Sequence, residues 1–297
     1  MRRATAARRR YNLAIPGAGT PRPTRPIPRS RRVVGNVTTV RRKLTENLKR
    51  VRDRIAAACQ RARRDPAAVK IVAVTKYVEM EVVRQALELN LVDLGESRAQ
   101  QLAQRASMIH EYIERKNVLA SRKEGPVPRP RWHMVGHLQR NKVKLVVPWA
   151  ELIHSVDSLR LAEDLHQHAA RVGRTIDILL QVNTSGEKSK FGIAVGAVPH
   201  LIEHLVAWPN VRLCGLMTMA PAECTPAELR LYFERLRDVF EDLRGDKRLV
   251  PHFRELSMGM SGDYETAIEA GATIVRLGST LFEGLMTLND MPEVSER

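Results

Sequence analysis

The chain has 297 residues, with 49 Lys and Arg against 33 Asp and Glu, so its formal net charge is +16. Hydrophobic residues make up 43% of it, enough for a substantial core and too many for a disordered chain. Apolar runs stay short of the ~18 residues of a membrane span, and Cys59, Cys214 and Cys224 stand in no metal-ligand spacing, which fits a reducing cytoplasm and argues against a disulfide framework or a zinc site.

The charge is unevenly placed. Thirteen of the positive residues fall between Arg2 and Lys43, and no acidic residue precedes Glu46, which leaves +3 for the rest of the chain. Residues 1–35 combine arginines with Pro16, Pro21, Pro23, Pro26 and Pro28, a density of proline that leaves no room for helix or sheet. They predict a disordered basic arm, acid-poor like an organelle targeting segment, or else a plain extension of the chain. Its one aromatic residue is Tyr11, so nucleic-acid binding by base stacking has little support.

From Asn36 the pattern becomes helical. Val37, Val40, Leu44, Leu48, Val51, Ile55, Ala58 and Cys59 recur at spacings of three and four, which predicts a long helix over 36–64. Eight short apolar, β-rich runs follow, at 69–75, 91–95, 132–136, 152–156, 176–182, 211–217, 255–260 and 273–278. Amphipathic segments at 79–90, 158–172, 195–207 and 226–243 lie between them. The stretch 111–131, with Lys123, Glu124, Gly125 and several prolines, reads as a surface loop.

Strands alternating with helices predict parallel βα units, and eight such units suit an α/β, single-domain (β/α)8 TIM barrel over 36–288 with a tail at 289–297. An open, doubly wound sheet satisfies the same strand count. After the eighth run there is room for a short final helix and the tail, so the helix at 36–64 is expected to cover that side of the barrel.

In a barrel, chemistry collects where strands end at the C-terminal face. Lys76 directly follows the first run; alone it reads as a solvated cap, but at a barrel mouth its amine suits Schiff-base chemistry. Ser257, Gly259, Ser261 and Gly262 form a small hydroxyl-bearing turn after the seventh run, and Gly278 with Ser279 forms another after the eighth. Backbone N–H groups at such turns bind phosphate, and these two loops are the usual phosphate site of a TIM barrel. A lysine across the mouth from a phosphate cup is what pyridoxal 5′-phosphate (PLP) requires. Arg276 is placed to donate to the pyridine nitrogen; a permanent cation there cannot take up that nitrogen's proton and leaves the ring a poor electron sink.

These residues carry a resemblance. Val72-Ala73-Val74-Thr75-Lys76, Leu94-Gly95-Glu96, the run from Trp132 to Lys142, Leu256-Ser257-Met258-Gly259-Met260-Ser261 and Val275-Arg276-Leu277-Gly278 are similar, in order, to segments of the pyridoxal phosphate homeostasis proteins. The resemblance spans about Asn36 to Gly284. It implies a barrel like the N-terminal domain of alanine racemase, with PLP held as a Schiff base on Lys76. It also implies that Ser261, Gly278 and Ser279 hold the phosphate and that Arg276 faces the pyridine nitrogen. Ser97 stands where the family usually has Asn near the cofactor ring, so a shorter hydroxyl replaces an amide there. The arm 1–35 has no counterpart.

The implied function is that of an intracellular carrier or buffer of vitamin B6 without established turnover, with PLP-dependent apo-enzymes as possible recipients. A PLP-dependent amino-acid racemase is the alternative. Racemisation needs an acid–base group on each face of the substrate carbon; beside Lys76 only Tyr77 and Tyr264 are near the mouth, and the second domain of a racemase is missing, which also fits a monomer.

Overall fold

The computed structural model describes residues 37–119, 126–187 and 191–287. The expected arm (1–35) and tail (289–297), and Lys123, Glu124 and Gly125, lie outside the described residues.

Strands β1 (Lys70–Val74), β2 (Asp93–Glu96), β3 (Arg131–Met134), β4 (Ala150–Val156) and β5 (Ile176–Asn183) pair in parallel, each with the next. A two-residue strand β6 (Ile193–Ala194) lies against the end of β5. Strand β7 (Val211–Met217) pairs with β5, β8 (Glu255–Ser257) with β7, and β9 (Ile274–Leu277) with both β8 and β1. The β1–β9 pairing closes the sheet, so the alternative of an open doubly wound sheet is set aside and the chain is a TIM barrel. Closure was beyond a strand count, because it depends on which edges meet.

Side-chain alternation separates two cores. Val72, Val135, Leu152, Leu179, Cys214, Met217 and Ile274 pack inside the barrel. Their neighbours, among them Ala73, Leu94, Met134, Ile153, Ile178, Leu216 and Val275, face outward under the helices in a much larger cluster.

Helix α1 (Val37–Arg61) buries Val40, Leu44, Leu48, Val51, Ile55, Ala58 and Cys59, the face set by its periodicity, while Val37 at its start is exposed. It packs beside α2 (Met80–Glu88) and against α8 (Tyr264–Glu269), the helix between β8 and β9. The amide of Asn47, buried in that face, donates to the carbonyls of Leu281 and Glu283, both at 3.0 Å. This anchors α1 over the turn that follows β9. Through residue 287 the chain forms turns there rather than the short final helix expected, and α1 covers that flank.

The expected loop 111–131 is also revised. Helix α3 (Ala99–Leu119) continues through its first part, because Leu102, Ala106, Ile109 and Ile113 make a buried stripe at helical spacing. The remaining helices are the single turn α4 (Val143–Val146), α5 (Leu159–Arg171), α6 (Val198–Leu205) and α7 (Pro226–Arg244). Helix α7 begins with a capping box between Thr225 and Glu228. Among the described residues, no helix is long and apolar enough to cross a membrane.

Candidate functional site

The register places the sequence-predicted residues around one rim. In β1 and β9, Val72 lies beside Arg276 and Ala73 beside Leu277, so Lys76 and Gly278 leave neighbouring strands at the same end of the barrel. Lys76 is half-buried, and its amine lies 4.6 Å from the centre of the Tyr77 ring. The segment bearing it is clamped from behind. Arg105 of α3 donates to the carbonyls of Thr75 (2.8 Å) and Val78 (2.9 Å). The Thr75 hydroxyl donates to the Glu96 carboxyl, and Thr287 donates to the Tyr77 carbonyl through its backbone N–H (2.9 Å) and its hydroxyl (3.1 Å). Glu96 is fully buried, and burial pushes its carboxyl up against the opposing pull of Arg105, Thr75 and Lys76.

The two small turns meet. The backbone N–H groups of Gly278 and Thr280 both point at the Ser261 hydroxyl oxygen, each at 3.3 Å, and the Thr280 hydroxyl reaches the Ser261 carbonyl at the same distance. Ser279, between those two amides, is exposed. Bonds of 3.3 Å are long for N–H donors, so the amides are weakly engaged and open to a better acceptor. Gly259 shapes the first turn: its φ of +93° and a would-be Cβ 2.6 Å from the Ala267 methyl admit no side chain. Its carbonyl accepts the N–H of Arg276 at 3.0 Å, which ties the turn to β9. Across the mouth Ser97 follows β2, half-buried, and its carbonyl backs onto Gly136, where a Cβ would sit 2.2 Å from that oxygen.

Arg276 is 4% exposed. It donates through Nη1 to the Ser257 hydroxyl (2.7 Å) and through Nη2 to the Thr218 carbonyl (3.0 Å). Burial lowers it to about 10, with the Asp263 carboxylate working the other way, so it stays a cation at neutral pH. Among the described residues no carboxylate forms an ion pair with it, although a buried cation ordinarily needs a counter-charge. Such a cation, with amides held by weak bonds near it, suits an anionic ligand. The residues present therefore fit a phosphate-bearing aldehyde: two amides and a hydroxyl for the phosphate, a guanidinium for a ring nitrogen, and an amine at the rim.

Sequence reasoning missed Thr280, the Glu96–Arg105 clamp and the polar interior. His133 and His154 stood near strand ends, but no role followed from that, and Ser257, expected in the small turn with Gly259 and Ser261, is instead the last residue of β8, buried inside the barrel against His154 and Arg276. The available signal was alternation: Asp93, His133, His154, Ser257 and Arg276 all occupy inward positions of their strands.

Comparison with known proteins agrees with this geometry. Residues 46–285 match the family described as the alanine racemase N-terminal domain. The chain is 37% identical over 239 residues to the pyridoxal phosphate homeostasis protein of Aquifex aeolicus, covering 80% of this chain and 96% of that one. It is 32% identical over 239 residues to the protein of the same name from Escherichia coli K12, covering 80% and 95%. Among solved structures, PipY of Synechococcus elongatus with PLP bound superposes with a TM-score of 0.64 at 30% identity, over 78% of this chain and 99% of that one. An alanine racemase from Clostridium difficile, at 14% identity and a TM-score of 0.60 over 81% of this chain and 59% of that one, shares the fold. The chain belongs to the pyridoxal phosphate homeostasis protein family, built on the fold of the alanine racemase N-terminal domain.

Proposed function

We propose that this protein holds PLP at the barrel mouth and acts in PLP homeostasis as a carrier or buffer that yields the cofactor to PLP-dependent apo-enzymes. The observation that carries the reading is the buried Arg276, with no carboxylate partner among the described residues, in a mouth where the Gly278 and Thr280 amides converge on Ser261. When bound, the cofactor supplies an aldehyde carbon that a primary amine attacks, forming a C=N bond and releasing water.

Lys76 is the amine for that Schiff base. The clamp on residues 75–78 fixes where its chain begins and leaves the side chain free to swing over Tyr77. Ser261, Gly278, Ser279 and Thr280 receive the phosphate, and Ser97 sits on the β2 side of the mouth. Arg276 can only donate, so it binds the ring nitrogen in its neutral form. That arrangement favours retention of the cofactor over withdrawal of electrons through its ring.

The racemase alternative loses one of its two candidate second bases. Tyr264 is 1% exposed and packs in the outer core, with the Arg54 guanidinium 5.3 Å from its ring centre, so it faces α1 rather than the mouth.

The test is direct. Protein incubated with PLP and desalted is expected to be yellow, and borohydride followed by peptide mass analysis is expected to place the reduced adduct on Lys76. A colourless protein refutes the reading; an adduct on another lysine refutes the assignment. Transfer to a PLP-dependent apo-enzyme faster than free PLP release marks a carrier, and transfer at the rate of release marks a buffer.

A further inference from the structure

A hydrogen-bonded chain of buried side chains runs through the barrel from the N-terminal rim to Arg276. Asp93, on β2, accepts from Nε and Nη2 of Arg131 at 2.7 and 2.6 Å. Its Oδ1 lies 3.0 Å from His133 Nε2. His133 Nδ1 lies 2.9 Å from His154 Nε2, and His154 Nδ1 lies 2.9 Å from the Ser257 hydroxyl. Ser257 in turn accepts from Arg276 at 2.7 Å. Asp93, His133, His154, Ser257 and Arg276 are all buried. A TIM-barrel interior is ordinarily filled by branched apolar side chains, so a polar column through it costs free energy unless every member is satisfied.

The two ends decide the direction of every bond. Arginine can only donate and a carboxylate can only accept. Ser257 receives the Arg276 N–H, and its own O–H is buried and requires an acceptor. His154 Nδ1 is the acceptor within reach, so that atom carries no proton and His154 is protonated at Nε2. The Nε2–H then donates to His133 Nδ1, which leaves His133 protonated at Nε2 and donating to Asp93. Both imidazoles are neutral. Burial, the largest influence on each, lowers both, and Lys70 on β1 adds to this; Arg131 adds to it at His133 and Arg276 at His154. Asp93 opposes it at His133.

We infer that Ser257, His154, His133 and Asp93 are positioning residues that act through Arg276: a hydrogen-bond chain of one direction, ending on a carboxylate, aims the free N–H groups of Arg276 into the mouth and shares out its charge. The inference deepens the proposed PLP site and rests on it for the ligand, though not for the direction of the chain. A polarised chain strengthens each bond along it, so Asp93 at the far rim influences how firmly Arg276 holds a ring nitrogen.

Two measurements test this. The first is 15N–1H correlation of the histidine side chains in the full-length, ligand-free protein at neutral pH. The expected result is neutral Nε2–H signals for both His133 and His154; an imidazolium at His133, or an Nδ1–H at His154, overturns the inference. The second uses Ser257→Ala, with Asp93→Asn as a further variant and circular dichroism to confirm folding. Titration with PLP is expected to show about three- to tenfold weaker binding and a displaced visible absorption band, with Ser257→Thr restoring both. A folded Ser257→Ala variant with unchanged affinity and spectrum overturns the inference. If the parent protein shows no visible band, the cofactor reading fails, and the imidazole signals still decide the chain.

Discussion

The two ends of the barrel handle charge in opposite ways. At the N-terminal rim the inward positions are occupied by neighbours of opposite sign: Lys70 with Glu255 (3.1 Å), Asp93 with Arg131 (2.6 Å) and Asp177 with Arg212 (2.6 Å). At the mouth Lys76 and Arg276 have no carboxylate in an ion pair among the described residues, and the weakly bonded amides of Gly278 and Thr280 stand nearby. Paired charges close one end and contribute to stability. Uncompensated cations at the other leave electrostatic work to be done, and a ligand anion completes it. The column from Asp93 to Arg276 joins the two ends.

The largest expected effect falls on the mouth. Lys76→Ala is expected to abolish the borohydride-fixed adduct while leaving the melting temperature within about 2 °C of the parent, since a half-buried, unpaired lysine contributes little to folding. Arg276→Met comes next. PLP affinity is expected to fall about ten- to a hundredfold, read by absorbance titration. The empty protein is expected to melt close to the parent, because relief of an unpaired buried charge offsets the bonds lost to the Ser257 hydroxyl and the Thr218 carbonyl. A large loss of stability with unchanged affinity would reverse the contrast between the two ends.

Gly259→Ala tests the turn at the mouth. A methyl group 2.6 Å from Ala267, at a φ of +93°, is expected to cost about 2–3 kcal/mol in denaturant unfolding and to weaken PLP binding by displacing Ser261.

Acid acts on the buried column. His133 and His154 are held below the ordinary 6.5, so below about pH 6.5 the unfolded chain takes up protons that the folded chain refuses, and stability falls as the pH drops. Burial pushes the Asp93 carboxyl up, but hydrogen bonds from Arg131 and His133 outweigh it and hold it well below the usual carboxylate range. Its contribution is therefore present at neutral pH and is lost only in stronger acid. Melting temperatures are expected to decline steadily from pH 7 to 5, and a flat profile would mean charged histidines. The smallest effect belongs to the N-terminal rim. Asp177→Asn, opposite an Arg212 that is 42% exposed, is expected to cost under about 1 kcal/mol and to leave PLP binding unchanged.

Much of this protein was legible in its sequence because the relevant physics is local. Periodicity set the buried face of α1, and alternation of apolar runs with amphipathic segments set the eight barrel strands and their parallel arrangement. Glycine and hydroxyl residues after β8 and β9 marked the two turns at the mouth, and at Gly259, where the backbone admits no Cβ, the turn must be written in the chain. Lys76, Arg276, Ser261 and Gly278 stood at strand ends and could be read off one by one. Tertiary structure decided what depends on partners distant in sequence. The β1–β9 pairing closes the barrel, α1 covers the flank where a last helix was expected, and Tyr264 faces outward rather than into the mouth. The links from Asp93 to His133, His154 and Ser257 span 40, 21 and 103 residues, so no window of the sequence contains them. A single inward-facing histidine is equally consistent with many environments. It acquires a proton position, and with it a role, only when an arginine and a carboxylate are brought to the two ends of the same chain.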